Sequence, residues 1–365
     1  MEKQKFIGLE HLRAVAILLV FLYHYRMFEH PDWVDTIGWI GWTGVDLFFV
    51  LSGFLISNQL FQEIRKYRTI RLRIFFTKRF FRIIPPYLFT LLMYFCFPVF
   101  REREALPPLW KFLVFTQNFG LDVISRGTFS HAWSLCIEEQ FYLVLPLFLL
   151  FLIRMNIIKY LSVVIIILMV STLLLRIFCW NEYVLPNLET PDFWKEWYMN
   201  IYYPTYTRLD GLAVGVLISC LFQSQTFRTI IHRNGNLLVF TGIMAVAFSL
   251  WFCRDSYSEQ ASLFGFTLVA LSYGILVTGA VSNSSFLSRK SNTITAQLAA
   301  LSYSVYLSHK GVIHLIQMLF EKTKLPVSGT SGLLICFIFC ILAGLFYRYG
   351  IEKPSVALKN KILNT

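Results

Sequence analysis

The sequence predicts an all-α integral membrane protein, a bundle of about ten transmembrane helices with both termini in the cytoplasm. Three observations lead there. Of 365 residues, 56% are hydrophobic, the mean hydropathy is +0.58, and 36 Phe help raise the aromatic share to 17%. Apolar runs long enough to cross a bilayer recur along the whole chain. Lys and Arg are shared unevenly between the segments that join those runs.

The runs fall near residues 9–29, 40–62, 83–100, 136–153, 157–178, 204–222, 237–253, 260–282, 297–320 and 331–350. The first is apolar from Leu12 to Tyr25 apart from Arg13 and His24. The second opens on Gly38, Gly41 and Gly44, whose small size allows close helix approach, and it carries Asp46. Before the third lies a basic stretch, 63–82, with eight Lys and Arg; Pro85 and Pro86 close it. Leu109–Asn118 is apolar but too short to span, and is expected to be re-entrant or interfacial. The fourth run follows Ser130-His131-Ala-Trp133-Ser134 and begins near Glu138-Glu139-Gln140, and the sixth begins Thr207-Arg208-Leu-Asp210-Gly211. The ninth holds Ser302-Tyr303-Ser-Val-Tyr306-Leu-Ser-His309.

With the N-terminus inside, cytoplasmic segments and the run ends beside them hold 20 of the 33 Lys and Arg, Lys3 and Lys5 among them, and external loops hold eight. That bias agrees with the positive-inside rule. It accounts for the net charge of +12 without nucleic acid, and leaves anionic lipid headgroups or an anionic cytosolic ligand as the partners of the basic face. The first helix reads as retained rather than as a cleaved signal peptide. No inverted repeat and no soluble domain interrupt the pattern, so residues 1–365 are expected to form one membrane domain. The seven Cys are odd in number and lack metal-ligand spacing. They read as core residues, with Cys179 and Cys253 near enough to external helix ends to leave a pairing open, and no metal site is expected.

The residues suited to chemistry lie inside these runs. Eleven positions separate Arg13 and His24, three turns plus roughly 20°, so both occupy one helix face about 16 Å apart. Ionisable residues at such depth normally face a bundle interior or a polar path. Asp46 lies at a depth similar to His24, so it either supports that imidazole as a general base or forms a structural ion pair with it. Arg79 and Arg82 stand one turn apart at a helix entrance, a spacing suited to phosphate, and also suited to an ordinary lipid-facing basic loop. Glu138 and Glu139 either cap the fourth helix through its dipole or join the chemistry; only one of them faces the interior fully. Trp133, Ser134, Arg208, Asp210, Tyr303 and His309 are candidate substrate contacts, and Arg208 and Asp210 also form an ion-pairable couple. External aromatics such as Trp194, Trp197, Tyr198, Tyr202 and Tyr203 fit either sugar stacking or an interfacial belt.

Taken in order, these segments resemble the membrane acyltransferase-3 family of ten-helix O-acyltransferases, from Leu9 to Pro354. The motifs that carry the resemblance are Arg13-x10-His24, Gly-Val-Asp46-Leu-Phe-Phe-Val-Leu-Ser-Gly, Arg79-x-x-Arg82, Trp133-Ser-Leu-Cys-Ile-Glu138-Glu139-Gln140, Arg208-Leu-Asp210, Ser302–His309 and Glu352-Lys-Pro354. Two departures are the Glu10-His11-Leu12-Arg13 opening and Tyr-Leu-Ser-His in helix nine, where the family usually has Asp-Gly-Leu-Arg and Tyr-Leu-Trp-His. The resemblance implies the stand-alone form, without the fused external hydrolase-like domain of many relatives, in the bacterial inner (cytoplasmic) membrane.

It also implies the reaction. An acyl group, most often acetyl, passes from cytosolic acetyl-CoA or another acyl-CoA to a hydroxyl of an exported or surface carbohydrate or lipid-linked glycan. Arg13, Arg79 and Arg82 would hold the donor, and His24, oriented by Asp46 or Glu138, would act as base or as transient acyl carrier. The rival from another class is a transporter or flippase that uses the same buried charges as a polar route. A non-catalytic scaffold stands third.

Overall fold

The structure, a computed structural model, describes residues 6–323 and 328–364; Lys3 and Lys5 of the charge pattern lie outside them. Each of the ten apolar runs is helical: α1 (Ile7–Tyr25), α2 (Thr43–Tyr67), α3 (Leu72–Cys96), α4 (Trp133–Arg154), α5 (Leu161–Cys179), α6 (Asp210–Leu221), α7 (Gly235–Phe252), α8 (Phe266–Val281), α9 (Thr293–Thr323) and α10 (Thr330–Phe346). The described residues contain no strand. This is an all-α, multi-pass membrane protein.

By length and composition, seven spans among the described residues are able to cross a bilayer, and they contain α1, α2, α4, α5, α7, α8 and α10. Two further helices, α3 with 25 residues and α9 with 31, are long enough but too polar to join them. The expected span at 204–222 differs from the reading of the sequence. There α6 has 12 residues, about 18 Å of helix against a hydrocarbon core of about 30 Å. The chain then bends by 104° into a second helix, Gln225–Arg233, which makes a broken span or a re-entrant loop. The basic stretch 63–82 is also mostly helix rather than loop: α2 runs on to Tyr67 and α3 starts at Leu72, so Arg79 and Arg82 sit one turn apart on a single helix. Leu109–Leu113 is a five-residue helix, too short to span, as expected.

The chain divides into two compact units. The first comprises Met1–Leu12, Val45–Ile70 and Ala105–Asn292. In it α7 packs along α8, while α6 is enclosed by α5, α8 and α2 and buries nine of its 12 residues. The second comprises Arg13–Gly44, Arg71–Glu104 and Thr293–Thr365. In it α9 packs along α10, and a helix over Lys353–Asn364 lies against α3. The segment before α2 presses on α1 as the small residues suggested: a Cβ on Gly41 would stand 2.2 Å from the Leu19 carbonyl oxygen, so only glycine fits.

Candidate active site

In the second unit, α1 and α9 bring two buried imidazoles together. His24 is 7% exposed and His309 is fully buried. His24 Nδ1 and His309 Nε2 lie 2.9 Å apart, with ring centroids at 4.9 Å. The other His309 nitrogen, Nδ1, reaches two carbonyl oxygens of its own helix, Tyr306 at 2.9 Å and Val305 at 3.1 Å. Arg13 and His24 share one uninterrupted helix, so the three-turn, one-face relation read from their spacing holds in the fold.

Beside His309 stands a buried ion pair, Lys310 Nζ to Glu102 Oε1 at 3.0 Å, with both side chains 3% exposed. Local chemistry delivers Glu102 there. Arg101 caps the last carbonyls of α3, donating to Tyr94 O at 2.7 Å and Phe95 O at 2.9 Å. Phe100 then packs onto α9 at Gly311, where a Cβ would sit 2.4 Å from the ring, and the next turn of chain carries Glu102 to Lys310. The rest of the Ser302–His309 motif makes helix-to-helix bonds. Tyr303 donates to the Ile83 carbonyl at 2.9 Å, tying α9 to α3, and the Ser304 hydroxyl bonds the Glu352 carboxylate. Arg79 is partly buried, with its guanidinium over the Phe75 ring, while Arg82 is exposed.

The first unit gathers a different set. Asp46 Oδ1 accepts from Arg208 Nη2 at 2.9 Å. Arg176 and Asp210 form a two-toothed pair at 2.8 and 3.1 Å, and Thr267 donates to the same carboxylate at 2.6 Å. All four charged side chains are at most 2% exposed. Arg208 and Asp210 are therefore not partners of each other, contrary to the sequence reading: two residues apart, they point to different sides, and each finds its counter-ion on another element. Arg208 Nε and Nη1 make no hydrogen bond, and the guanidinium instead faces the rings of Phe266 at 3.9 Å, Tyr202 at 4.6 Å and Trp133 at 5.2 Å.

Asp46 and His24 each have a partner inside their own unit, Arg208 and His309 respectively. Trp197, Tyr202 and Tyr203, offered as sugar-stacking aromatics, are buried, with Trp197 donating to the Ser262 hydroxyl at 2.7 Å; Trp194 and Tyr198 are half-buried. Tyr142 donates to Glu138 Oε2 at 2.6 Å, Glu139 is half-buried and Ser134 is buried. Gln140 anchors the segments before α4 and α6, donating to Phe115 O at 2.7 Å and accepting from Thr205 at 2.6 Å. All seven cysteines are free, including Cys179 and Cys253.

Four residues of these clusters escaped the sequence reading as chemistry: Arg176, Thr267, Glu102 and Lys310. For Arg176 and Lys310 the signal was present, because each is a cation inside an apolar run, the feature that singled out Arg13.

Comparison with known proteins adds the family. The model of a family described as an acyltransferase domain matches residues 6–348. The chain is 28% identical over 379 residues to the peptidoglycan O-acetyltransferase OatA of Listeria monocytogenes serovar 1/2a, covering 98% of this chain and 56% of that protein. It is 26% identical over 373 residues to the O-acetyltransferase OatA of Staphylococcus aureus strain NCTC 8325, covering 95% and 56%. The chain thus spans just over half the length of these curated relatives. No solved structure matches it.

Proposed function

We propose an activity for this chain on the premise that it belongs to the acyltransferase family whose domain spans residues 6–348: it is a membrane O-acyltransferase that moves an acetyl group to a carbohydrate hydroxyl. The donor is acetyl-CoA on the cytoplasmic side of a bacterial inner membrane, with both termini on that side. The acceptor is a sugar hydroxyl of an exported or surface glycan; peptidoglycan, named for the Listeria relative, is the first to test.

The observation that carries this reading is the buried His24 on the same helix face as Arg13, with a second imidazole at its back. In the reaction, His24 takes the proton of the acceptor hydroxyl as its oxygen bonds to the thioester carbonyl carbon. The C–S bond then breaks and the coenzyme A sulfur leaves with that proton. A neutral imidazole has a lone pair to take that proton, and such catalysis is worth about 10²–10⁴-fold in rate. Arg79 and Arg82, one turn apart on α3, supply guanidinium groups for the donor's phosphates, and Arg13 extends that positive path along α1. The ion pairs of the first unit hold its helices together, and Glu138 with Tyr142 lines its interior.

The test uses the full-length chain in lipid nanodiscs with radiolabelled acetyl-CoA and no acceptor. Saturable binding with slow thioester hydrolysis is expected, the hydrolysis being lost in His24→Ala. Absence of binding at millimolar donor would overturn the assignment and direct the next experiment to solute flux in liposomes.

A further inference from the structure

We propose that His309 is a positioning residue for the reaction: it holds His24 in the tautomer whose lone pair lies on Nε2, and so makes Nε2 the atom that receives the acceptor's proton. The inference rests on the reading of His24 as the base and assigns that reading an atom.

It starts at the far end of the pair. His309 Nδ1 lies within hydrogen-bond distance of the Tyr306 and Val305 carbonyl oxygens, at 2.9 and 3.1 Å. Carbonyl oxygens only accept, so Nδ1 carries a hydrogen. A second hydrogen on the ring would place an imidazolium in a fully buried site, one residue from the Lys310 ammonium. The ring is therefore neutral, and its lone pair is on Nε2. That atom faces His24 Nδ1 at 2.9 Å, so His24 Nδ1 must be the donor. An imidazole with its hydrogen on Nδ1 keeps its lone pair on Nε2.

Two consequences follow for the chemistry. When His24 takes a proton, the bond from its Nδ1–H to His309 becomes charge-assisted, and the neutral acceptor steadies the new cation. The proton also has no onward route through His309, because that ring's other hydrogen is already held by two carbonyls. His24 must therefore hand the proton to the leaving sulfur itself. A single base serves both halves of the transfer, and His309 orients without relaying. Lys310 and Glu102, paired beside it, fix the turn of α9 on which it stands.

The test is solid-state ¹⁵N spectroscopy of the full-length, histidine-labelled protein in nanodiscs, with His24 assigned by the signals lost in His24→Ala, alongside donor kinetics. The expected spectrum shows a protonated Nδ1 and a bare Nε2 at His24. His309→Ala should mix the two His24 tautomers and lower the thioester turnover number about a hundredfold, while acetyl-CoA binding stays within about twofold. His309→Gln, whose amide oxygen can accept from His24 Nδ1, should recover at least about tenfold of that loss. A hydrogen on His24 Nε2 in the wild type, or full turnover in His309→Ala, would overturn the proposal. Should His309→Ala fail to fold, the wild-type spectrum and the glutamine variant decide the matter. The spectrum needs no activity, so a wild type that turns over no thioester would count against the acyltransferase reading while the tautomer is scored separately.

Discussion

The two units bury polar groups in different ways. In the first, Arg176, Arg208, Asp46 and Asp210 are balanced cation against anion, with Thr267 on one carboxylate and three aromatic rings around one guanidinium. In the second, two imidazoles face each other beside one ion pair, Lys310–Glu102. A matched Arg–Asp set cannot change protonation without leaving a charge uncompensated in a dry interior. A pair of neutral rings can take up one proton and return it. Under the proposed function, the contrast favours architecture for the first cluster and proton transfer for the second, although both are built from residue types associated with catalysis.

The largest expected effect tests the architectural half. Arg176→Met leaves the Asp210 carboxylate buried without its cation, which should cost about 3–5 kcal/mol and show as a large fall in thermal stability in detergent. Adding Asp210→Leu to that variant should restore most of the loss, because an apolar pair needs no desolvation. A single variant as stable as wild type would remove the distinction between the units.

Next in size is Gly311→Leu, which forces the Phe100 ring off α9 and should cost about 1–3 kcal/mol of stability. It should also weaken turnover, since Glu102 follows Phe100 to Lys310. Stability lost with turnover intact would separate that ion pair from the chemistry.

Much of this was legible in advance, and the omissions have physical causes. Ten apolar runs became ten helices because length and hydropathy are local properties, and the Arg13–His24 relation survived because both residues lie on one helix. The run at 204–222 gave a shorter helix because Asp210 starts α6 only after an irregular Pro204–Leu209 approach that delivers Arg208 to Asp46. Partners were the hidden part. Arg176 meets Asp210 34 residues later, and His24 meets His309 285 residues later; no helical or strand periodicity connects such positions. The spacing Arg208-x-Asp210 invited a local pair that helical geometry does not allow.

Two smaller predictions sharpen the comparison within the second unit. Arg82→Ala, at an exposed position on α3, should raise the KM for acetyl-CoA about tenfold and leave kcat within about twofold. A loss confined to kcat would instead place that arginine at the reacting atoms. The smallest effect lies in the turn after α1. There burial lowers the pKa of His30, but its bonds to the Phe28 carbonyl at 2.6 Å and to Asp35 at 3.1 Å outweigh that and hold it above its ordinary value. A raised base stabilises fully below the unfolded value near 6.5 and loses that contribution as pH rises through the folded value. The Tm advantage of wild type over His30→Gln should therefore shrink from pH 6 to pH 8, on a scale below about 1 kcal/mol.

The most direct test of the whole account separates donor binding from chemistry at His24. Acetyl-CoA binding and single-turnover thioester cleavage would be measured on wild type and His24→Ala, both normalised to folded protein. The account predicts binding unchanged within about twofold and cleavage slowed at least about a hundredfold. Cleavage at the wild-type rate in His24→Ala would contradict it.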